Sequence, residues 1–235
     1  MSGLGAEEWQ VVWLSLKIAG VATLFSLPLA ILTAFALARG RFRGKALLNA
    51  IVHLPLVLPP VVTGYALLLL FAPNAPLGAF LQDQFGLTLA FRWTGAALAA
   101  GIMAFPLMVR AIRLSLEAID PGLEVAAETL GAGRGAVFAT ITLPLMLPGI
   151  LAGLVLAFAK ALGEFGATIT FVSNIPGETR TLPIAIYSYL QVPGQEAAAL
   201  ELAYVAVAIS LAAILLSEWI SARVARRLGG QDAER

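Results

Sequence analysis

The chain has 235 residues, 60% of them hydrophobic and only 12% charged, with a formal net charge of +1 and no cysteine. A soluble domain carries about a quarter charged residues, and this much apolar surface exceeds what one globule of this size could hide, so it must face lipid or sister helices. Disulfides and thiolate metal sites are excluded, and the near-neutral total says less than the placement of charge along the chain.

Five apolar stretches approach the roughly 20 helical residues needed to cross a bilayer core of about 30 Å. They lie near 11–38, 54–72, 93–109, 147–171 and 199–220. The first is too long for a secretion signal and comes after Glu7 and Glu8, where a signal would be basic. Beyond it come Arg39, Arg41, Arg43 and Lys45. Gly40 to Lys45 resembles a phosphate loop only superficially: it is one residue short, lacks Ser or Thr after the lysine and has no strand before it. His53, the only histidine, is expected at the interface, because a metal site needs further donors nearby.

Pro28, Pro55, Pro59, Pro60 and Pro106 interrupt or open these stretches. Interrupted helices are tolerated in a bilayer where protein or a wet cavity satisfies the freed carbonyls. The double proline Pro59-Pro60 predicts a fixed bend early in the second span. The third span is short unless Ala111 and Ile112 extend it. The fourth carries Lys160 and Glu164, four apart and therefore on one helix face. Charges at that depth cost about 2.5–3.5 kcal/mol on insertion scales. They allow two readings: a self-satisfied pair near the outer interface, or a gate lined by Glu164, Phe165, Gly166 and Thr168, with Gly166 allowing close approach across a dimer axis. Leu54 to Pro59 and Leu143 to Pro148 echo each other, which fits either a duplication or repeated use of one kind of helix start.

Basic residues orient the spans. Arg39 to Lys45, then Arg110, Arg113 and Arg134, then Arg223, Arg226, Arg227 and Arg235 fall on one side, while the opposite loops supply only Arg92 and Arg180. Five spans then place the N-terminus outside and the C-terminus inside. Trp9, Trp13, Trp93 and Trp219 lie near span ends, as interfacial anchors do.

In this topology 110–146 is the largest cytoplasmic loop. Asp120 suits an N-cap, Pro121 the first helical position, and Gly131 a left-handed stop. Leu123, Ala126 or Ala127, and Leu130 recur at helical spacing, opposite Glu117, Asp120, Glu124 and Glu128. A helix of about ten residues is marginal alone in water and needs a docking surface.

Ala126-Ala127, Gly131 and Ile141-x-Leu143-Pro144 keep the spacing of the EAA signature, so the chain resembles the permease subunits of binding-protein-dependent ABC importers. Where that signature has glutamate, this chain has Val125, with acids at Glu124 and Glu128 instead. His53 to Pro60, Phe105 to Arg113, Thr129 to Gly133, Gly163 to Thr168 and Ser173 to Thr181 are similar to the molybdate branch of the family. Sulfate or thiosulfate permeases are the nearest rivals, and tungstate is too like molybdate in charge and size to be separated here.

The resemblance implies an all-α, polytopic domain over 1–235 in the bacterial inner (plasma) membrane, with a cytoplasmic coupling helix at 120–131. It assigns ATPase coupling to Glu124, Ala126, Ala127, Glu128, Leu130, Gly131, Gly133, Leu143 and Pro144, and the pathway or gate to Pro59, Pro60, Glu164, Phe165, Gly166 and Thr168. The implied partners are a second copy in a homodimer, a cytoplasmic ABC ATPase dimer, a periplasmic or lipid-anchored oxyanion-binding protein and the bilayer, with no nucleic acid. No cofactor, metal or bound ATP is expected in this chain. No arginine cluster marks an anion site in the spans, so selection is expected of the binding protein. A channel and an intramembrane enzyme are the alternatives from other classes; the second lacks a Gly-x-Ser-x-Gly elbow, a His-Glu-x-x-His helix and a cysteine nucleophile.

Overall fold

The computed structural model describes residues 5–229, and these are helical with connecting turns, with no strand among them. The side chains of Arg226 and Arg227, and all of Arg235, lie outside the described residues. Among the described residues, four helices are long and apolar enough to cross a membrane: α1 (Ala6–Arg39), α5 (Trp93–Glu117), the continuous run Arg134–Leu162, and α11 (Glu196–Gly229), whose apolar part is Glu196–Ile220. The run Arg134–Leu162 comprises α7 (Arg134–Val137), a wide π turn (Phe138–Thr142) and α8 (Leu143–Leu162). Shorter helices complete the chain: α2 (Lys45–Val57), α3 (Pro60–Phe71), α4 (Pro76–Phe85), α6 (Pro121–Thr129), α9 (Gly166–Val172) and α10 (Leu182–Leu190).

At the centre stands α5, sandwiched between α1 and α8. Its buried positions are mostly very small, among them Gly95, Ala96, Ala97, Ala99, Ala100, Gly101 and Ala104. Lipid tails give little hydrophobic drive between helices, so close backbone approach has to supply the attraction. A Cβ added to Gly101 would press on Ser26 of α1, and one on Gly149 of α8 would collide with Ser115 of α5. Below the small residues, Met108, Val109, Ile112 and Leu116 are wholly buried and fill the inner half of the core.

Two expected spans come out differently. The stretch 54–72 is not one helix: α2 and α3 meet at a 112° bend, because Leu58 and Pro59 are both extended, at ψ 143° and 133°. A residue preceding proline is pushed out of the helical region, and here two consecutive residues precede one. With twelve residues, α3 is about 18 Å long and crosses only part of the bilayer. The stretch 147–171 breaks after Leu162 and resumes as α9 at Gly166, while its helix begins earlier, at Arg134. By contrast, Pro28, Pro55, Pro106 and Pro148 all lie inside helices.

The two ends of the bundle are distinct. At the outer end, the Leu182 N–H donates to Ser15 Oγ at 2.7 Å, Tyr189 Oη to Glu8 Oε1 at 3.4 Å, and Lys17 Nζ sits 3.6 Å from the Trp93 ring centroid. The loop from Ser173 to Thr181 is folded on itself: the Ile175 N–H donates to Thr179 Oγ1, which in turn donates to the Ser173 carbonyl. At the inner end, Arg39, Ile119, Glu124 and Thr142 come together. Trp9, Trp13 and Trp219 are exposed on the bundle's flanks.

Candidate coupling helix and translocation interface

On the inner side, α6 is built as its caps dictate. The Asp120 carboxylate accepts from the Gly122 N–H at 2.8 Å, Pro121 fills the first turn, and Gly131 takes φ 90° to stop the helix. None of its residues is buried. Leu123, Val125 and Leu130 are exposed, Leu130 at 89%, and so is Ala126, while Ala127 is half-buried. A short helix with apolar side chains left this exposed is a candidate docking surface.

Its acids behave differently from one another. Glu128 faces solvent, 3.9 Å from the exposed Arg134. Glu124 turns back toward the bundle, accepting from Thr142 Oγ1 at 2.8 Å and lying 3.5 Å from Arg39 Nη2. Gly133 caps the start of α7, and Leu143 and Pro144 open α8 directly after the π turn. The Leu143 N–H reaches back five residues to the Phe138 carbonyl, the widening that lets a helix absorb Pro144 without stopping.

Within the bilayer, the two broken helices meet. Gly166 lies against Pro60 and Gly64 lies against Ala167, so closely that a Cβ on either glycine would strike its neighbour; the Phe71 and Phe171 rings are 6.3 Å apart. Thus α3 and α9 run side by side from their respective breaks. Gly166 thus makes a close helix approach within one chain, to Pro60.

The break before α9 is organised by Glu164. One carboxylate oxygen takes the Lys160 ammonium at 2.7 Å and the other accepts the Ala167 N–H at 3.0 Å, satisfying an orphan donor of the new helix. Glu164 is only 2% exposed, and Lys160 reaches the surface with about a third of its side chain. Thr168, 1% exposed, returns its hydroxyl to the Glu164 and Phe165 carbonyls. Glu164 and Thr168 are thus both buried within the chain, where they fix the helix start. Phe165 is the outward member, 5.1 Å from the Tyr187 ring and beside an apolar recess of about 360 Å³ reaching Pro183 and Ser210.

Gly64 and Thr142 carry no role in the sequence pattern, and Arg39 reads there only as a topology marker. Only Gly64 left a local trace, a glycine inside an apolar run. His53 bonds the Asn49 carbonyl of its own helix at 2.9 Å.

Several long spans, a pair of half-length helices meeting in the bilayer and a short exposed helix on the inner face define a membrane transport subunit. The profile of the family described as "Binding-protein-dependent transport system inner membrane component" matches residues 26–230, and the chain belongs to that family. It is 59% identical over 224 residues to the molybdenum transport system permease protein ModB of Escherichia coli K12, covering 95% of this chain and 97% of the relative. It is 36% identical over 234 residues to the sulfate transport system permease protein CysT of Salmonella typhimurium, covering 96% and 84%. Among solved structures, a bacterial ABC transporter involved in import of the acidic polysaccharide alginate shares the fold, with a TM-score of 0.73 at 20% identity, over 94% of this chain and 80% of that one. The chain is accordingly a multi-pass subunit of the bacterial inner membrane and not an enzyme; ATP hydrolysis belongs to a partner ATPase.

Proposed function

We propose that this chain is the molybdate permease of its importer, and that two copies form the pathway with α6 of each copy seated on one subunit of a cytoplasmic ATPase dimer. The observation that carries the docking assignment is α6 itself: a capped, nine-residue helix on the inner face with no buried residue and with Leu123, Val125 and Leu130 exposed. A helix this short is not stable on its own propensity, so an outward apolar face implies a protein that covers it. Molybdate is favoured over sulfate by the gap between 59% and 36% identity at similar coverage.

One chain carries one such helix, whereas a pair of nucleotide sites needs two, which favours a twofold homodimer over 1–235 as a single domain. The apolar residues exposed on α3, among them Val61, Tyr65 and Leu69, leave a face for the second copy. ATP binding would close the ATPase pair and, through differential contact at α6, favour the outward-facing arrangement of the helices. Pro59, Pro60, Phe165 and Gly166 sit where the half-helices α3 and α9 would part. Molybdate, delivered by the binding protein at the outer loops, would then pass without a dedicated site in this chain.

The test is uptake of labelled molybdate by the complete complex in vesicles, with tungstate and sulfate as competitors, beside co-purification of the ATPase with an Ala127→Trp variant. Uptake requiring ATP and binding protein, only weakly inhibited by sulfate, together with loss of the ATPase from Ala127→Trp, is the expected result. Sulfate competing on equal terms would reassign the substrate, and full ATPase retention would remove α6 from the interface.

A further inference from the structure

Three elements meet at one carboxylate at the inner end, and a fourth is joined to them through the arginine. Glu124 of α6 takes the Thr142 hydroxyl at 2.8 Å and, through the same oxygen, lies 3.5 Å from Arg39 Nη2 at the end of α1. That nitrogen also donates to the Ile119 carbonyl beyond α5, at 3.4 Å. Thr142 is 2% exposed, and the Arg39 and Glu124 side chains are each 24% exposed, so water screens these contacts only partly.

Thr142 uses its hydroxyl differently from five other helical threonines of this chain. Thr23, Thr129, Thr140, Thr168 and Thr170 all return theirs to a carbonyl three or four residues back in their own helix, the ordinary fate of a helical threonine. Thr142 gives its hydroxyl to a different element, from a position at the end of the π turn, where the helix is widened and adjustable. The three arms are also unequal: the threonine arm is short, and both arginine arms are long.

We propose that the Glu124–Thr142 hydrogen bond is the positioning link that passes displacement of α6 into the rod Arg134–Leu162, with Arg39 as a looser tether. The idea rests on α6 being the ATPase-docking helix and adds how its motion enters the membrane. The far end of the same rod is the Lys160–Glu164 break, from which α9 departs to meet α3, so the route from α6 to the half-helix pair is one continuous helix. Glu124 then acts within its own chain and not on the ATPase, consistent with Val125 and not Glu124 standing at the signature position.

The experiment compares molybdate taken up per ATP hydrolysed by reconstituted complexes carrying variants of this chain. Thr142→Val, which keeps the shape and removes the donor, is expected to lower that ratio about tenfold with the ATPase still bound, the size of an ordinary coupling energy. Thr142→Ser is expected to restore it, and Glu124→Leu, which removes the acceptor, to fall at least as far as Thr142→Val. The double variant is expected to be no worse than Glu124→Leu alone, since both remove one interaction. Arg39→Gln is expected to cost about threefold or less, as partly exposed pairs do. Should Thr142→Val fail to assemble, Glu124→Leu, on a helix with no buried residue, gives the same comparison against Arg39→Gln. A wild-type ratio in Glu124→Leu, strictly additive losses, or a larger effect at Arg39 would overturn the link. Ala127→Trp separates the two ideas: release of the ATPase with normal coupling in Glu124→Leu sinks only the link, whereas retention of the ATPase sinks the docking assignment beneath it.

Discussion

Leu54 to Pro59 and Leu143 to Pro148 read Leu-Pro-Leu-Val-Leu-Pro and Leu-Pro-Leu-Met-Leu-Pro, differing in one residue of six, yet one ends in a 112° break and the other runs through an unbroken helix. The difference lies in the residue after each hexad and in the helix packed beside it. Pro60 comes after Pro59, so two successive residues are held extended. Gly149 comes after Pro148 and seats its backbone on Ser115 of α5, while the π turn upstream takes up the missing N–H of Pro144. Leu54, Leu56 and Val57 are exposed, whereas Met146 is wholly buried. Proline offers a break, and packing decides whether it is taken. The echo thus falls in two different local structures, which removes the ground for treating it as a structural repeat.

The comparison can be broken most severely at Gly149. A side chain there, as in Gly149→Leu, must displace Ser115 and push α8 off α5, and a cost of about 3 kcal/mol or more is expected. Thermal unfolding of the purified subunit in detergent reads it, and an unchanged midpoint would mean that packing does not hold the second hexad straight. Next is Pro60→Ala, which removes the restriction on Pro59 and about 3 kcal/mol of bias against helix. Spin labels at Leu47 and Leu69 are expected to move apart as α2 and α3 straighten, with a fall in transport; an unchanged distance would assign the bend to other contacts.

Glu164→Gln probes a break made without proline. It keeps an acceptor for the Ala167 N–H but loses the ion pair with a partly exposed lysine, so a loss of about 1–2 kcal/mol is expected. Equal stability and equal transport would show that the pair does not organise the start of α9. Smallest is Pro148→Ala, expected to change stability by less than about 1 kcal/mol and leave transport alone, because the helix is already continuous there. A large loss would give that proline a role the geometry does not suggest.

Much of the architecture was legible in the sequence because bilayer thickness and apolar run length are tied together. The caps of α6 were equally plain: Asp120, Pro121 and Gly131 act locally, and the structure uses all three as their chemistry predicts. Hydropathy, however, counts apolar residues without regard to direction. It could not separate a straight 54–72 from a bent one, nor place the break at Gly163, nor extend the fourth helix back to Arg134 through Pro144 and Pro148. The pairing of Gly166 with Pro60 and the clustering of Arg39, Glu124 and Thr142 join residues far apart in the chain, and no local pattern encodes such a meeting.

The run of glycine and alanine through the buried faces of α5 leaves that helix little thicker than its backbone. Nothing remains there to trim, so inherited change can move it in one direction only, toward bulk, and each added methyl must lever apart two neighbouring rods. The exposed flank of α11, with Leu211, Leu215 and Leu216 turned outward, is under no such restriction. Small apolar probes belong on that flank, and the slender axle should be left as found.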